Sequence, residues 1–445
     1  DHRDLHSFPT RRSSDLNIES LVPQDHLLRK IDRVIDFDFI RGKVEHLYCL
    51  DNGRPAIDPV MLFKMIFIGY LFGIRSERRL VQDIEVNVAY KWFLGLKLGG
   101  KVPDSSTLSQ NRRRRFNSSE VYREIFDEIV FLAINKGLAD GKNLFTDSTH
   151  LKANANRNKF VREQVARSTV DYIADLDADV EKDRENHGKK PLKERETEVK
   201  TKETRVSTTD PESGFMTREG KPEGFFYLDN RSVDGRHAII TDSYVTPGNV
   251  HDSIPYLDRL DDQRERFGFE VEAVGLDAGY NTVGICRGLE ERGIMGVIGY
   301  RRPTQTQLGN RKQFKYDSVG DCYICPMGER LEYSTTNRDG YREYKSNPNI
   351  CSSCEYLSRC TNSKNKTRVI ARHIWQDAKD RVNANRLTEI GREIYARRKE
   401  TVERSFADAK ELHGHRYARM RGIRKVQEQC RSEERRVGKE CRSRW

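Results

Sequence analysis

The chain has 445 residues, 33% of them charged and 36% in the AVILMFWYC set, a balance that excludes a wholly disordered polymer and points to two or three domains. Lysine and arginine exceed the acids by 11, which favours a polyanionic partner, most often nucleic acid or an anionic membrane surface. Nine cysteines in such a length, with no signal-peptide pattern at the start, read as a reducing compartment rather than a disulfide scaffold.

Residues 1–16 and 431–445 follow no structural period. Both resemble translated sequencing-adapter DNA and are set aside as artefactual tails. Residues 17–137 show helical periodicity and no β-run, so they are expected to form an all-helical, DNA-binding N-terminal domain. Within it Pro59 opens a nearly all-apolar helix. The run to Ile74 carries Lys64 and falls short of the ~20 residues of a membrane span, so no membrane partner is expected. Ser76 caps a helix through Leu80, Ile84, Val88 and Trp92, and Asp104-Ser105-Ser106-Thr107 caps a short one ending in Arg112 to Arg115.

The pattern changes at residue 138. Asn143–Thr146 reads as a strand ending at Asp147, and residues 157–220 as an exposed charged helical arm followed by a mobile loop. Phe225–Leu228 and Ala238–Val245 are strands around an Asp234-Gly235 turn, and a helix follows His251-Asp252-Ser253. Val271–Leu276 is a strand ending at Asp277, followed by a helix to Arg292 and a strand at Met295–Ile298. This order implies an α/β fold with a mixed sheet over 138–303. A cysteine-rich insertion occupies 304–365, and 366–430 returns to the core with one long helical pattern over 378–412.

Asp147 and Asp277 each stand at the end of a predicted strand, where α/β sheets assemble their sites, and Glu403 lies on the late helix. Three converging acids repel one another unless cations intervene. Two Mg²⁺ ions, which prefer oxygen ligands, would resolve this and suit in-line phosphoryl displacement. Any single acid among 69 is more often a solvated surface group, so spacing alone is weak. Context is stronger. Thr146-Asp-Ser-Thr-His150, Gly275-Leu-Asp-Ala-Gly-Tyr280 and Val402-Glu-Arg-Ser-Phe-Ala-Asp-Ala-Lys410 together resemble the DDE transposases of bacterial insertion sequences. Gly53-Arg-Pro-Ala56 and Pro103-Asp-Ser-Ser-Thr107 resemble the N-terminal domain that accompanies them.

The resemblance covers nearly all of 20–427. It implies a ribonuclease-H-like mixed-sheet core in which Asp147, Asp277 and Glu403 hold two Mg²⁺ or Mn²⁺ ions. It further implies hydrolysis at the element's end, then attack of the freed 3′-hydroxyl on target DNA. Expected partners are element-end and target DNA, with a homodimer in the DNA complex and a cytoplasmic, nucleoid-associated location in a bacterium. Many relatives carry a tyrosine and an arginine before the glutamate and a lysine seven residues after it. Lys410 fits, but the arginine position reads as Lys399 and the tyrosine falls one place early, at Tyr395. On one continuous helix that shift rotates a side chain by about 100°. His251-Asp252 also resembles a family motif, which an ordinary cap explains equally well.

Basic residues supply the expected DNA contacts. Lys410, Arg416, Arg419 and Arg421 follow Glu403, and Arg112, Arg113, Arg114 and Arg115 follow polar residues able to read bases. Solvated charged faces are the plain alternative for both runs. Cys322-x2-Cys325 and Cys351-x2-Cys354 have the spacing of a zinc-ribbon-like structural Zn²⁺ site, with Cys360 as a further donor. The four paired cysteines are the simplest ligand set, and free thiols or a redox pair are the alternative. Two competing functions remain: a metal-dependent nuclease that cuts without joining, and a non-catalytic zinc-containing DNA-binding relative.

Overall fold

The computed structural model describes residues 17–48, 57–74, 76–116, 120–166, 173–193, 201–217, 223–300 and 313–434. Residues 1–16 and 435–445 of the two tails, Cys49 and the Gly53-Arg-Pro-Ala56 motif lie outside them. The chain divides into two compact units, one drawn from 1–135, 407–420 and 424–445, the other from 136–406 and 421–423.

The first unit is helical among its described residues. It holds α1 (Ile18–Leu21), α2 (Leu27–Val34), α3 (Phe39–Val44), α4 (Pro59–Leu71), α5 (Glu77–Val86), α6 (Val88–Phe93), α7 (Ser105–Asn111) and α8 (Val121–Asn135). Asp58 caps α4 by accepting from the Val60 N–H at 3.0 Å, with Pro59 in the first turn. Leu62, Phe63, Met65, Ile66 and Ile68 of α4 are all buried, which gives this helix the unit's centre. The stretch read as one helix from Ser76 to Trp92 is two. Asn87 leaves the helical conformation and caps α6 through the Tyr90 N–H at 3.1 Å. A polar residue that can bond its own downstream backbone makes such a break cheap.

The second unit is built on a six-stranded sheet of β1 (Asn143–Lys152), β4 (Gly214–Met216), β5 (Gly224–Asp234), β6 (Ile240–Pro247), β7 (Ala273–Leu276) and β8 (Met295–Ile298). The expected end of β1 at Asp147 is incorrect. The strand continues to Lys152 because the wholly buried β5 pairs with it antiparallel throughout, Asp147 opposite Arg231 and Lys152 opposite Phe226. On its other edge β1 runs parallel to β7, and β7 parallel to β8. Helix α10 (Tyr256–Phe267) follows β6, and α11 (Val283–Glu291) joins β7 to β8. Pro255 stands at the start of α10 with no side-chain cap bond, so Asp252 is not the cap.

The charged arm is also corrected. β2 (Phe160–Ala166) and β3 (Thr201–Ser207) pair antiparallel, and α9 (Ile173–Asn186) lies between them in sequence. Leu176 and Val180 of α9 are buried with Trp375, so the helix is docked rather than free. Asp183 accepts from Arg342 Nε at 2.8 Å and from the Thr336 hydroxyl at 2.6 Å. Those partners belong to the cysteine-bearing segment, whose strands β9 (Lys315–Asp317), β10 (Cys322–Ile324), β11 (Arg330–Thr336), β12 (Tyr341–Ser346) and β13 (Val369–His373) form a second, antiparallel sheet. Its short helices are α12 (Pro348–Cys351) and α13 (Leu357–Cys360).

The long helix expected over 378–412 is three helices: α14 (Gln376–Asn385), α15 (Glu389–Arg397) and α16 (Val402–His413). Thr388 leaves the helical conformation and caps α15 through the Gly391 N–H at 3.0 Å. α17 (Ile423–Glu434) ends the described chain, so residues 431–434 continue a helix rather than open a patternless tail. Among the described residues no helix is long and apolar enough to cross a membrane.

Candidate active site

Two of the three predicted acids are neighbours by strand register. Thr146 pairs with Leu276 in the parallel β1–β7 ladder, so the next residues, Asp147 within β1 and Asp277 just past β7, stand side by side where the ladder ends. Asp277 then turns the chain, its Oδ1 accepting the Gly279 N–H at 2.7 Å. Gly275 is required just upstream, since a Cβ there would stand 2.6 Å from the Phe145 ring.

Glu403 reaches the same region from the first turn of α16. That turn is tied to the sheet by Arg231, which sits opposite Asp147 and is essentially fully buried. Its guanidinium pairs with Asp229 at 2.9 Å, donates to Ser405 Oγ at 3.1 Å and covers the Phe406 ring at 4.6 Å. A buried pair of this kind adds little net stability, yet removing one partner strands the other charge. It therefore acts to fix where α16 begins.

The link between the acids is Arg398, which the sequence reading did not single out. Its Nη2 donates to Asp147 Oδ2 at 2.8 Å, and its Nη1 lies 3.4 Å from Glu403 Oε1. The Arg398 side chain is 5% exposed, against 20% for Asp147 and 45% for Glu403. A signal was present: Tyr395 and Arg398 keep the tyrosine–arginine spacing expected of relatives, both displaced by one residue. Lys399 is exposed, so it was the wrong match. No 100° rotation results, because α15 stops at Arg397 and α16 starts at Val402, and the intervening turn absorbs the extra residue. Tyr395 reaches the far end of β8, where a Cβ on Gly299 would meet its hydroxyl at 2.8 Å.

Charge is unbalanced around Asp147. Burial, with the nearby Asp277 and Asp252 charges, pushes its carboxyl up to about 6 against the downward pull of Arg398 and of the Ser148 N–H. Asp252 accepts from Ser148 Oγ at 2.7 Å, while its other oxygen, Oδ1, is buried with no hydrogen-bond partner. The carboxylate oxygens of Asp147, Asp277 and Glu403 do not all come within 4.8 Å of one another, and the cation beside two of them is a guanidinium. An acidic, part-buried cluster short of positive charge can take hard cations through oxygen.

A family profile described as Transposase domain (DUF772) matches residues 16–114, and one described as Transposase DDE domain matches residues 324–432. The chain is a DDE-type transposase. The second profile spans Glu403 and Lys410 but neither aspartate. Similar solved structures include a Mos1 transposase paired-end complex with left transposon end, at 13% identity and TM-score 0.18 over 63% of this chain and 69% of that one. A piggyBac transposase synaptic complex with hairpin DNA has 9% identity and TM-score 0.27, over 93% and 79%. The two profiles alone carry the family assignment. No curated protein matches the transposase.

Lys410 is half-buried in the last turn of α16, while Arg416, Arg419 and Arg421 are exposed. Arg416 pairs with Glu411, and Arg421 donates to the Asn154 carbonyl at 2.9 Å. In the arginine run Arg112 pairs with Glu77 at 2.9 Å, and Arg115 lies over the Tyr48 ring at 4.4 Å. Arg114 is exposed, and the side chain of Arg113 lies outside the described set. Arg112 and Arg419 both line a cavity of about 510 Å³ in the helical unit, with Tyr70, Glu77 and Ser109. Of the cysteines, Cys325, Cys351, Cys354 and Cys360 line one small cavity and Cys322 does not.

Proposed function

We propose that the transposase cuts the ends of an insertion sequence and joins the liberated 3′-hydroxyl to target DNA, with Asp147, Asp277 and Glu403 as its metal-holding acids. The observation that carries this reading is the adjacency of Asp147 and Asp277 on parallel strands, with Glu403 bridged to Asp147 by Arg398. Support for a ribonuclease-H-like core comes from the strand order, three antiparallel strands (β6, β5, β1) followed by two running parallel to β1 (β7, β8). The donors suit Mg²⁺ or Mn²⁺: hard carboxylate oxygens, one of them on a group whose burial already disfavours lone negative charge.

Two divalent ions held there would activate water and offset charge on the transferred phosphate. The chain's own residues do the rest. Arg398 holds Asp147 toward its ionised form, and Arg231 anchors the turn that carries Glu403. Exposed Arg114, Arg416, Arg419 and Arg421, with Lys410, would bind phosphates of the DNA. A homodimer in the DNA complex, a bacterial cytoplasmic location and a structural zinc apart from the chemistry complete the reading.

The test is a gel assay of labelled element-end DNA with Mg²⁺, scored for nicking and for joining. Both products are expected. Nicking without joining would leave a nuclease, and DNA binding with neither product would leave a non-catalytic relative.

A further inference from the structure

The cysteine-bearing sheet holds five thiols that the catalytic reading does not use, all of them free. Their placement separates four from the fifth. β10 alternates its side chains, as any strand must. Tyr323 belongs to a buried cluster with Phe314, Leu331, Tyr344 and Ile370, and Cys325 and Cys360 pack against that same cluster. Cys322, one residue before Tyr323, is buried on the opposite face, where a Cβ on Gly320 would approach its sulfur at 3.5 Å.

Cys325, Cys351, Cys354 and Cys360 instead converge on a cavity of about 30 Å³, walled by Phe314, Met327, Leu331, Ile350 and Leu357. Each sits on a tight turn. Cys325 leads a reversal closed by the Gly328 N–H to the Cys325 carbonyl at 2.9 Å, with Gly328 at φ +87°. The Glu329 N–H donates to Cys325 Sγ at 3.3 Å. Cys351 ends α12 and its carbonyl accepts the Cys354 N–H at 3.2 Å, while Cys360 ends α13.

We propose that Cys325, Cys351, Cys354 and Cys360 form a tetrathiolate zinc site, and that Cys322 is not a ligand. This replaces the ligand set that paired spacing alone suggests. No three of these sulfurs lie within 4.8 Å of one another, so binding draws them inward to the ~2.3 Å of a zinc–sulfur bond. The turns allow this with side-chain rotation, because all four already face one space. The ion would clamp the turn after β10 to the α12–α13 segment, far apart in sequence, in a region whose apolar cluster is small.

The experiment uses the full chain, expressed with zinc, passed through a chelator and assayed for bound metal. The native chain is expected to retain about one zinc per chain. Cys360→Ser is expected to lose most of it, whereas Cys322→Ser keeps it. Loss in Cys322→Ser with retention in Cys360→Ser would overturn the assignment, as would a native chain without zinc. If both variants lose the ion, alkylation of the native chain with and without chelator decides. Chelator-released reactivity at the four named thiols, with Cys322 still protected, upholds the site. Release of Cys322 in step with them overturns it.

Discussion

The acid site and the cysteine cavity solve opposite problems. Asp147 is a buried charge at the end of a shared strand register, and its neighbours Asp277 and Asp252 make matters worse. Strong backbone scaffolding holds it there, and a guanidinium from a separate element relieves it. The thiols sit at turns around a small apolar space, where neutrality is easy and the segment's own core is slight. In the sheet the fold is rigid and pays for the ligands' repulsion; in the insertion the ligands would supply order that the core lacks. The first arrangement would suit reactivity and oxygen-loving ions, the second structure and a soft-ligand ion.

The largest expected effect breaks the comparison at its catalytic end. Glu403→Gln keeps shape and helix propensity but removes the charge of the proposed ligand, so Mg²⁺-dependent nicking and joining should fall by about two orders of magnitude or more. Filter binding to the same DNA should be unchanged, and so should zinc content. Parallel losses in binding and cleavage would indicate misfolding instead.

Next comes Arg398→Gln, which leaves Asp147 buried without its counter-charge. Urea unfolding at pH 8 should show a loss of about 3 kcal/mol. At pH 5 the loss should shrink, because the Asp147 carboxyl is then largely protonated. An equal loss at both pH values would mean that the pair is not what holds the region.

The native chain should carry a pH signature of the same charge. The Asp147 carboxyl rises from its ordinary 3.8 to about 6 on folding, so between those values the folded state binds the extra proton. Its contribution to stability is therefore greatest below about pH 4 and is lost as pH climbs through about 6, with a slope of at most about 1.4 kcal/mol per pH unit. Asp147→Asn should flatten that segment of a stability–pH curve, and an unchanged curve would remove Asp147 as its source.

A smaller effect probes the scaffold alone. Gly275→Ala would drive a methyl into the Phe145 ring and should cost about 2 kcal/mol in a denaturant melt. A neutral result would mean that the two strands can separate without penalty, and that Asp277 is less firmly placed than its register implies.

Much of this fold was legible because strong patterns need little context. The β5–β6 pair, β7, the helix after it and β8 all follow from apolar runs punctuated by turn residues. The continuation of β1 past Asp147 was not legible, because Asp147-Ser148-Thr149-His150 reads as a polar exit. Only the buried partner β5 extends the strand. β2 and β3 were missed for a related reason, since their pairing carries little apolar signal. The three acids could be named from motif context, but Arg398 could not while 378–412 was read as one helix. Once Thr388 and the turn at 398–401 divide it, the tyrosine–arginine pair falls into place one residue early. The cysteine spacing announced a site, whereas strand alternation, invisible without the sheet, separates Cys322 from the rest.

The central claim is that Asp147, Asp277 and Glu403 hold one metal centre although a guanidinium now stands between two of them. Mn²⁺ binding, followed by electron paramagnetic resonance on the full chain with element-end DNA, tests it directly. Asp147→Asn, Asp277→Asn and Glu403→Gln should each bind Mn²⁺ at least about tenfold more weakly than the native chain, while exposed Glu400→Gln binds as the native chain does. Native-like Mn²⁺ affinity in any one of the three acid variants would contradict the account.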